Sequence, residues 1–164
     1  MLRDVAATQV HVDSADITAV VAYVGGRKLV VVSVYIPTLK SMQNRDKGRE
    51  ALTSRLDIIR EVVQREQLRD PHTEVIVAGD FNRHNPLWGG SSVDNEPRQE
   101  ESEPIIDFMG ELSLQSLLPA GTITYECVRG KSTIDLMLAT ERLAEDLVEC
   151  SLWEHEYGAD YRAI

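Results

Sequence analysis

Apolar residues in the first 36 positions alternate with polar ones or form short unbroken runs, which is the pattern of β-strands. The segments 5–12, 17–24 and 29–36 each predict a strand. Two glycines at 25–26 predict a two-residue hairpin turn with positive φ between the last two. Because 29–36 is almost wholly apolar, we expect a central strand covered on both faces. It should end at Pro37, which has no N–H for the ladder.

A long helix is predicted over residues 44–67, where the apolar period changes to that of an α-helix. The residues that recur at this spacing form one stripe along a helix face: Leu52, Leu56, Ile59, Val62 and Val63. The apolar segment 74–80 follows a turn and predicts another buried strand. Segment 91–104 is polar and acidic and contains two prolines, so it predicts a surface loop.

The last third of the sequence mixes strand and helix patterns. A short amphipathic helix is predicted at 104–114, and Thr140 is a candidate N-cap for a second one at 140–145. Three further strands are predicted, at 123–128, 132–139 and 146–153. Hairpins combined with helical crossovers predict an α/β sandwich of mixed, largely antiparallel sheets flanked by helices.

Length and charge narrow the function classes. The 164 residues, 43% of them hydrophobic, suit a single globular domain over 1–164. Residues 1–70 carry 11 basic and 9 acidic side chains, whereas residues 71–164 carry 6 and 18, which gives the net charge of −10. A protein that holds nucleic acid by charge alone is basic, so such a function would need metal ions or basic surface from elsewhere. No apolar run is long enough for a membrane span, and the cysteines and histidines lack zinc-site spacing.

The strand at 74–80 ends in Gly-Asp-Phe-Asn, with Asp80 and Asn82 on either side of Phe81. In extended geometry both polar side chains would point the same way, and Phe81 would point into the core. A carboxylate can orient a water or hold a hard cation, and a carboxamide can donate to phosphate without repelling it. The pair therefore suits phosphodiester hydrolysis. The alternative is a tight turn in which Asp80 caps nearby amides.

Two other aspartates are candidates for the same chemistry. Asp135 lies within an apolar predicted strand, where a carboxylate needs a partner or a metal unless it faces solvent. Asp160 follows a predicted turn at 158–159, where ordinary terminal polarity is the other explanation.

Three separated strings resemble motifs of the endonuclease/exonuclease/phosphatase (DNase I-like) superfamily: GDFN, STIDLML at 132–138 and GADYRAI at 158–164. The longer string GDFNRHNPLWGG at 79–90 is similar to the endonuclease domains of non-LTR (LINE-type) retrotransposons. VVSVYIPT at 31–38 resembles the strand of that family whose tyrosine contacts the scissile phosphate. The resemblance covers about residues 17–164 and implies a DNase I-like fold.

The resemblance also implies a role for each matched residue. Asp80 matches the aspartate that positions the attacking water, and it is a candidate ligand for Mg²⁺ or Mn²⁺. Asn82 matches the asparagine that binds the phosphate, and Tyr35 the tyrosine beside it. Asp135 matches an aspartate that orients a catalytic histidine. Asp160 matches the aspartate of a terminal Asp-His pair, a ligand of the cation or of water.

The loop after the motif and the C-terminal pair complete these assignments. His84 is implied to border the DNA groove and contact substrate, whereas Trp88 is expected to pack in the interior. Where the family has Asp-His, this chain has Asp160 and Tyr161. A tyrosine is neutral at pH 7 and supplies no cation, although it can donate a hydrogen bond. Loss of one such group costs about 10²- to 10⁴-fold in rate.

Members of the family begin with a strand bearing an asparagine, then a helix and a strand ending in a metal-binding glutamate. Residues 1–16 contain neither residue type, so we expect this N-terminal strand-helix-strand part to be missing. One hypothesis is a Mg²⁺-dependent DNA endonuclease of an intracellular, nuclear retroelement protein, with a reverse transcriptase domain as its partner. The second is a degenerate remnant or a non-catalytic binding module. The third is a phosphatase of small molecules or lipids, against which the loop at 85–90 argues.

Overall fold

A computed structural model describes residues 5–38, 45–90, 100–128, 130–153 and 160–164. The strands are β1 (Ala6–Val10), β2 (Ile17–Val24), β3 (Arg27–Tyr35), β4 (Glu74–Asp80), β5 (Leu114–Ser116), β6 (Tyr125–Cys127), β7 (Gly130–Ser132) and β8 (Asp135–Thr140). The helices are α1 (Arg45–Arg69), α2 (Pro86–Gly89), α3 (Glu103–Glu111) and α4 (Glu141–Asp146). Most of the predicted loop at 91–104, and the predicted turn at 158–159, lie outside the described residues.

Six strands form one mixed sheet in the order β1-β2-β3-β4-β8-β5, and β6 pairs with β7 in a separate two-stranded sheet. Only the β3–β4 pair is parallel among these strands, and α1 makes the crossover that a parallel pair requires. All other described pairs are antiparallel. A mixed, largely antiparallel sheet with flanking helices is the α/β architecture that the sequence predicts.

The glycine pair between β2 and β3 forms the predicted hairpin turn. Gly25 has φ +59° and Gly26 has φ +80°, and Val24 pairs directly with Arg27. Positive φ at both turn positions matches the right-handed twist of the paired strands, and glycine adopts it without a steric penalty.

The core lies between α1 and one face of the sheet. All five residues of the predicted helical stripe are at most 4% exposed. In β3, Val30, Val32 and Val34 are buried beneath the helix, whereas Ser33 and Tyr35 on the opposite face are exposed. The expectation that this strand is covered on both faces is therefore wrong. Its side chains alternate between a packed face and a more open one.

The predicted strand at 132–139 is divided into β7 and β8. The hydroxyl oxygen of Thr124 accepts hydrogen bonds from the N–H groups of Ile134 and Asp135, both at 3.1 Å. Thr133 donates its hydroxyl to the carbonyl of Thr122 at 2.5 Å. These side-chain contacts replace ladder hydrogen bonds at the junction, so the strand is interrupted there.

The C-terminal strand predicted at 146–153 is wrong. Residue 146 is the end of α4, and the residues from 147 to 153 have no regular structure. Val148 is fully exposed and Leu147 is 40% exposed, so the alternating apolar pattern has no core to face. Thr140 is the N-cap position of α4, as predicted, but its hydroxyl donates to Glu74 and not to the helix.

The remaining differences between predicted and observed elements concern short elements and the ends of longer ones. The strand predicted at 123–128 is limited to β6, the helix predicted at 104–114 ends at Glu111, and β5 and α2 were not predicted. In the part of the chain that the structure describes, no helix is long and apolar enough to cross a membrane.

Candidate active site

Three of the predicted site residues meet where β3 and β4 end. Tyr35, the last residue of β3, pairs in register with Asp80, the last residue of β4. Asp80 in turn pairs with Asp135, the first residue of β8. Residues opposite each other in a sheet share a face. The neighbouring Val34 packs beneath α1, so these three side chains lie on the opposite, open face.

Asn82 joins this group through a turn rather than through an extended strand. It has φ +49°, and its backbone N–H donates to Oδ1 of Asp80 at 2.9 Å. Its side-chain Nδ2 donates to the carbonyl of Ile36 at 2.9 Å. The expectation of extended geometry is therefore wrong, although Phe81 is fully buried as predicted. The tight turn and the candidate site are therefore not alternatives, because the turn itself places the carboxamide beside Asp80.

Tyr161 contacts Asp80 directly. Its hydroxyl donates to Oδ2 of Asp80 at 3.1 Å, and its ring packs against that of Tyr125 with centroids 4.8 Å apart. An isolated β-bridge between the two tyrosines fixes this approach. Burial, then the charge of Asp80, raise the pKa of Tyr161, so the hydroxyl keeps its proton at neutral pH.

Burial and hydrogen bonding shift the pKa of Asp80 in opposite directions. Burial raises its pKa, while hydrogen bonds from Asn82 and Tyr161 and the charge of Arg83 lower it. Both carboxylate oxygens already accept a hydrogen bond, one from Asn82 and one from Tyr161.

Asp135 has the most perturbed carboxyl group of the site. Burial is the main cause that raises its pKa to about 6, and the charge of Asp80 adds to it, against a hydrogen bond with Thr124. Its Oδ2 is buried without a hydrogen-bond partner. A carboxylate in this position requires a proton or a cation, because burial and a like charge both disfavour the bare anion.

The residues present are compatible with a weakly held divalent cation. Mg²⁺ is commonly bound by one or two carboxylates, with waters and substrate phosphates as the other ligands, and Asp80 with the unpartnered oxygen of Asp135 supplies two. Within the described ranges, no group of three or more His, Cys, Asp or Glu side chains could hold a metal ion. Asp160 is exposed, and it is the next residue, Tyr161, that contacts Asp80. Its role as a metal ligand stays a prediction.

The loop after β4 continues from this site and is held by hydrogen bonds and burial. Asn85 accepts from the N–H of Leu87 at 2.8 Å and so caps α2. Trp88 is 1% exposed and packs in the core, as expected. His84 is partly buried within this loop, and its contact with substrate stays a prediction.

Two residues of the site were not predicted. Arg83 is 2% exposed, although an arginine after a turn motif is ordinarily read as a surface residue. Thr124 is fully buried and hydrogen-bonds Asp135 from eleven positions away. The position of Arg83 next to the GDFN string was a weak signal that it belongs to the site. Nothing in the local sequence indicates the contact between Thr124 and Asp135.

The mixed sheet, with two carboxylates and a carboxamide where its central strands end, is the arrangement of the DNase I-like fold. The sequence model of the endonuclease-reverse transcriptase family matches residues 29–164, and the chain belongs to that family. A search of curated proteins finds no match.

Solved structures agree with this fold. The endonuclease domain of TRAS1, a telomere-specific non-LTR retrotransposon, is similar with a TM-score of 0.71 and 24% identity over 98% of this chain. The chain spans 65% of the length of that domain. An AP endonuclease from Archaeoglobus fulgidus has a TM-score of 0.63 and 19% identity, over 97% of this chain and 68% of its own. A 3'-5' exonuclease from Neisseria meningitidis has a TM-score of 0.61 and 14% identity, over 88% of this chain and 62% of its own.

Proposed function

We propose that this chain hydrolyses phosphodiester bonds of DNA with the help of Mg²⁺ or Mn²⁺, as the endonuclease part of a nuclear retroelement protein. A reverse transcriptase domain of the same polyprotein would be its partner. The observation that carries the proposal is the meeting of Asp80, Asn82 and Asp135 at the ends of β4 and β8 on the open face. Membership of the endonuclease-reverse transcriptase family and the similarity to TRAS1 support it.

The residues of the site divide the chemistry between them. Asp80 orients the attacking water and accepts its proton, for which the carboxylate must be ionised. The Asn82 carboxamide donates to the carbonyl of Ile36 and also hydrogen-bonds the Asp80 carboxylate, and it would exchange the second bond for one to a phosphate oxygen. Tyr35 is 46% exposed beside Asp80 and presents its hydroxyl to the same phosphate. A bound divalent cation would neutralise charge on the phosphate, with Asp80 and Asp135 as its ligands.

A second candidate is a non-catalytic fold reused for binding. The hydrogen bond from Tyr161 to Asp80 favours it, because it takes up a carboxylate oxygen that the water or the cation would need. The tyrosine also lacks the positive charge that an imidazolium would contribute. The two candidates predict opposite behaviour for a variant with histidine at this position.

Nicking of supercoiled plasmid in Mg²⁺ and in EDTA distinguishes the candidates. We expect slow Mg²⁺-dependent nicking by the wild type and a loss of about 100-fold or more in Asp80→Asn, which keeps the shape but not the charge. Tyr161→His should nick faster than wild type by about 10-fold or more, because it frees Asp80 and restores an imidazole. Asp107→Asn, an exposed aspartate on α3, is the matched control and should behave as wild type. Absence of nicking by both wild type and Tyr161→His would reject the hydrolase and favour the binding fold.

A further inference from the structure

Arg83 is a fully buried cation directly behind the candidate site. Its side chain is among the largest that the protein buries, with 2% of the residue exposed. Among the described residues, its guanidinium donates to three main-chain carbonyl oxygens and makes no ion-pair contact, although the charges of Glu101 and Asp80 act on it from further away. Burial lowers the pKa of Arg83 and these charges offset that only in part, so the buried guanidinium depends on its fit to those carbonyls.

The guanidinium continues the pairing of β3 with β4 after both strands end. The N–H of Ile36 still donates to the carbonyl of Asp80 at 2.8 Å, but Pro37 has no N–H to offer. Beyond this point, Nδ2 of Asn82 donates to the Ile36 carbonyl at 2.9 Å, and Nη1 of Arg83 donates to the Pro37 carbonyl at 3.1 Å. Two adjacent side chains therefore hold two adjacent carbonyls.

Further hydrogen bonds connect this pair of side chains, Asn82 and Arg83, to the rest of the fold. Nη2 of Arg83 donates to the carbonyl of Gly48 in the first turns of α1 at 3.1 Å, and Nη1 also bonds the carbonyl of Asn82 at 3.0 Å. The carbonyl of Arg83 accepts from the indole N–H of Trp88 at 3.0 Å. The end of β3, the start of α1 and the loop after β4 are thus held together through one side chain.

We propose that Arg83 is a positioning residue that keeps the Asn82 carboxamide beside Asp80 by holding the backbone turn at Asn82. With φ at +49°, Asn82 lies in the left-handed region, which asparagine tolerates better than most residues, and the contacts of Arg83 select this conformation over the others open to it. Arg83 donates to the carbonyl of Asn82 itself. It also donates to the carbonyl of Pro37, next to the Ile36 carbonyl that the carboxamide contacts. An effect of Arg83 on the rate of hydrolysis rests on the proposed function, whereas its effect on the position of the Asn82 side chain does not.

Hydrogen exchange of the Asn82 side-chain amide, measured by NMR, tests this role without any need for catalysis. In the wild type, the proton bonded to Ile36 should exchange about 10-fold or more slowly than a free side-chain amide. Arg83→Met removes all three donor contacts and should abolish that protection. Arg83→Lys keeps the charge, but a single ammonium cannot reach carbonyls in three directions, so partial protection is expected. If Arg83→Met does not fold, the exchange rate of the Asn82 amide in Arg83→Lys still tests the proposal.

Two controls distinguish positioning from general loosening. Asn85, in the same loop, donates its side-chain amide to Ser102 at 2.9 Å, and its exchange should change less than that of Asn82. Arg55→Met removes an arginine that bonds Asp16 and the carbonyl of Ala51 in another part of α1. It should lower the melting temperature and leave the Asn82 signals unchanged.

The possible results separate this proposal from the proposed function. Free exchange at Asn82 in the wild type, retained protection in folded Arg83→Met, or an equal loss at Asn82 and Asn85 would each overturn the positioning role. If protection is lost selectively, the role is supported even when no variant nicks DNA. If nicking is present, Arg83→Met should lower kcat by about 10-fold or more with little change in KM, because a displaced carboxamide weakens transition-state contacts.

Discussion

At the scale of single residues, the neighbouring carboxylates of Asp80 and Asp135 oppose the stability of the fold. Asp135 has a pKa raised to about 6, mainly by burial, and one of its oxygens has no hydrogen-bond partner. Between the pKa of an unfolded aspartate, near 4, and about 6, the native chain keeps a proton that the unfolded chain has lost. The contribution of Asp135 to the free energy of unfolding therefore falls as pH rises through this window and is lowest above it.

Asp135→Asn should remove this penalty. The amide has no charge to desolvate, so the variant should exceed wild type in free energy of unfolding by on the order of 1 kcal/mol above pH 7, after allowance for partial solvent screening. The corresponding gain in melting temperature is about 2–4 °C, and it should disappear below pH 4. Thermal unfolding from pH 4 to 8 measures it, with Asp107→Asn as the control. A gain that is the same at every pH would contradict the ionisation argument.

The identity of the site residues was easier to predict than their environment. Asp80, Asn82 and Asp135 were selected from short strings, and the structure brings them together. The burial of Arg83 was not predictable, because it depends on carbonyls of segments that the sequence does not place near residue 83. The same limit applies to Thr124.

At the scale of elements, the close approach of β3 and β4 depends on Gly79. It has φ +149°, and an added Cβ would lie 1.9 Å from the carbonyl oxygen of Val34. Since that oxygen is backbone of the neighbouring strand, neither atom can move away without separating the strands. The glycine therefore fixes the position of Asp80, the residue that follows it.

Gly79→Ala should destabilise the protein severely. Strain at this φ and the clash with Val34 together predict a loss of about 3 kcal/mol or more in free energy of unfolding. Urea unfolding followed by circular dichroism gives the value. Gly110→Ala is the control of opposite sign, because its added Cβ meets no atom within 4 Å outside the local helix backbone and a helical alanine is favoured by about 0.5–1 kcal/mol. A loss below 1 kcal/mol at Gly79 would show that β4 can shift.

Elements set by local chemistry were predicted well. The α1 stripe and the hairpin at Gly25 and Gly26 follow from spacing and from conformational preference within a few residues. The interruption between β7 and β8 was missed because it is made by Thr124, and the strand expected at 146–153 was wrong because alternation alone does not supply a neighbouring strand.

At the scale of the whole molecule, the charge distribution opposes nucleic-acid binding. The chain carries 27 acidic and 17 basic side chains, and the candidate site itself presents two carboxylates. Proteins that bind DNA through the phosphate backbone gain affinity by releasing cations from it, which requires basic surface. If the chain binds DNA as proposed, the positive charge that meets the phosphate must come largely from bound cations.

Affinity for DNA should therefore depend on divalent cations more than on the protein's own charge. We expect anisotropy of a labelled duplex to show weak binding in EDTA at 0.15 M salt and an affinity about 10-fold or more higher in millimolar Mg²⁺, since a cation held by Asp80 and Asp135 would offset their repulsion of the phosphate. In Asp80→Asn combined with Asp135→Asn, the repulsion and the cation ligands are both removed, so binding should be nearly the same with and without Mg²⁺. Equally tight binding by the wild type in EDTA and in Mg²⁺ would place the DNA contact on another surface of the molecule.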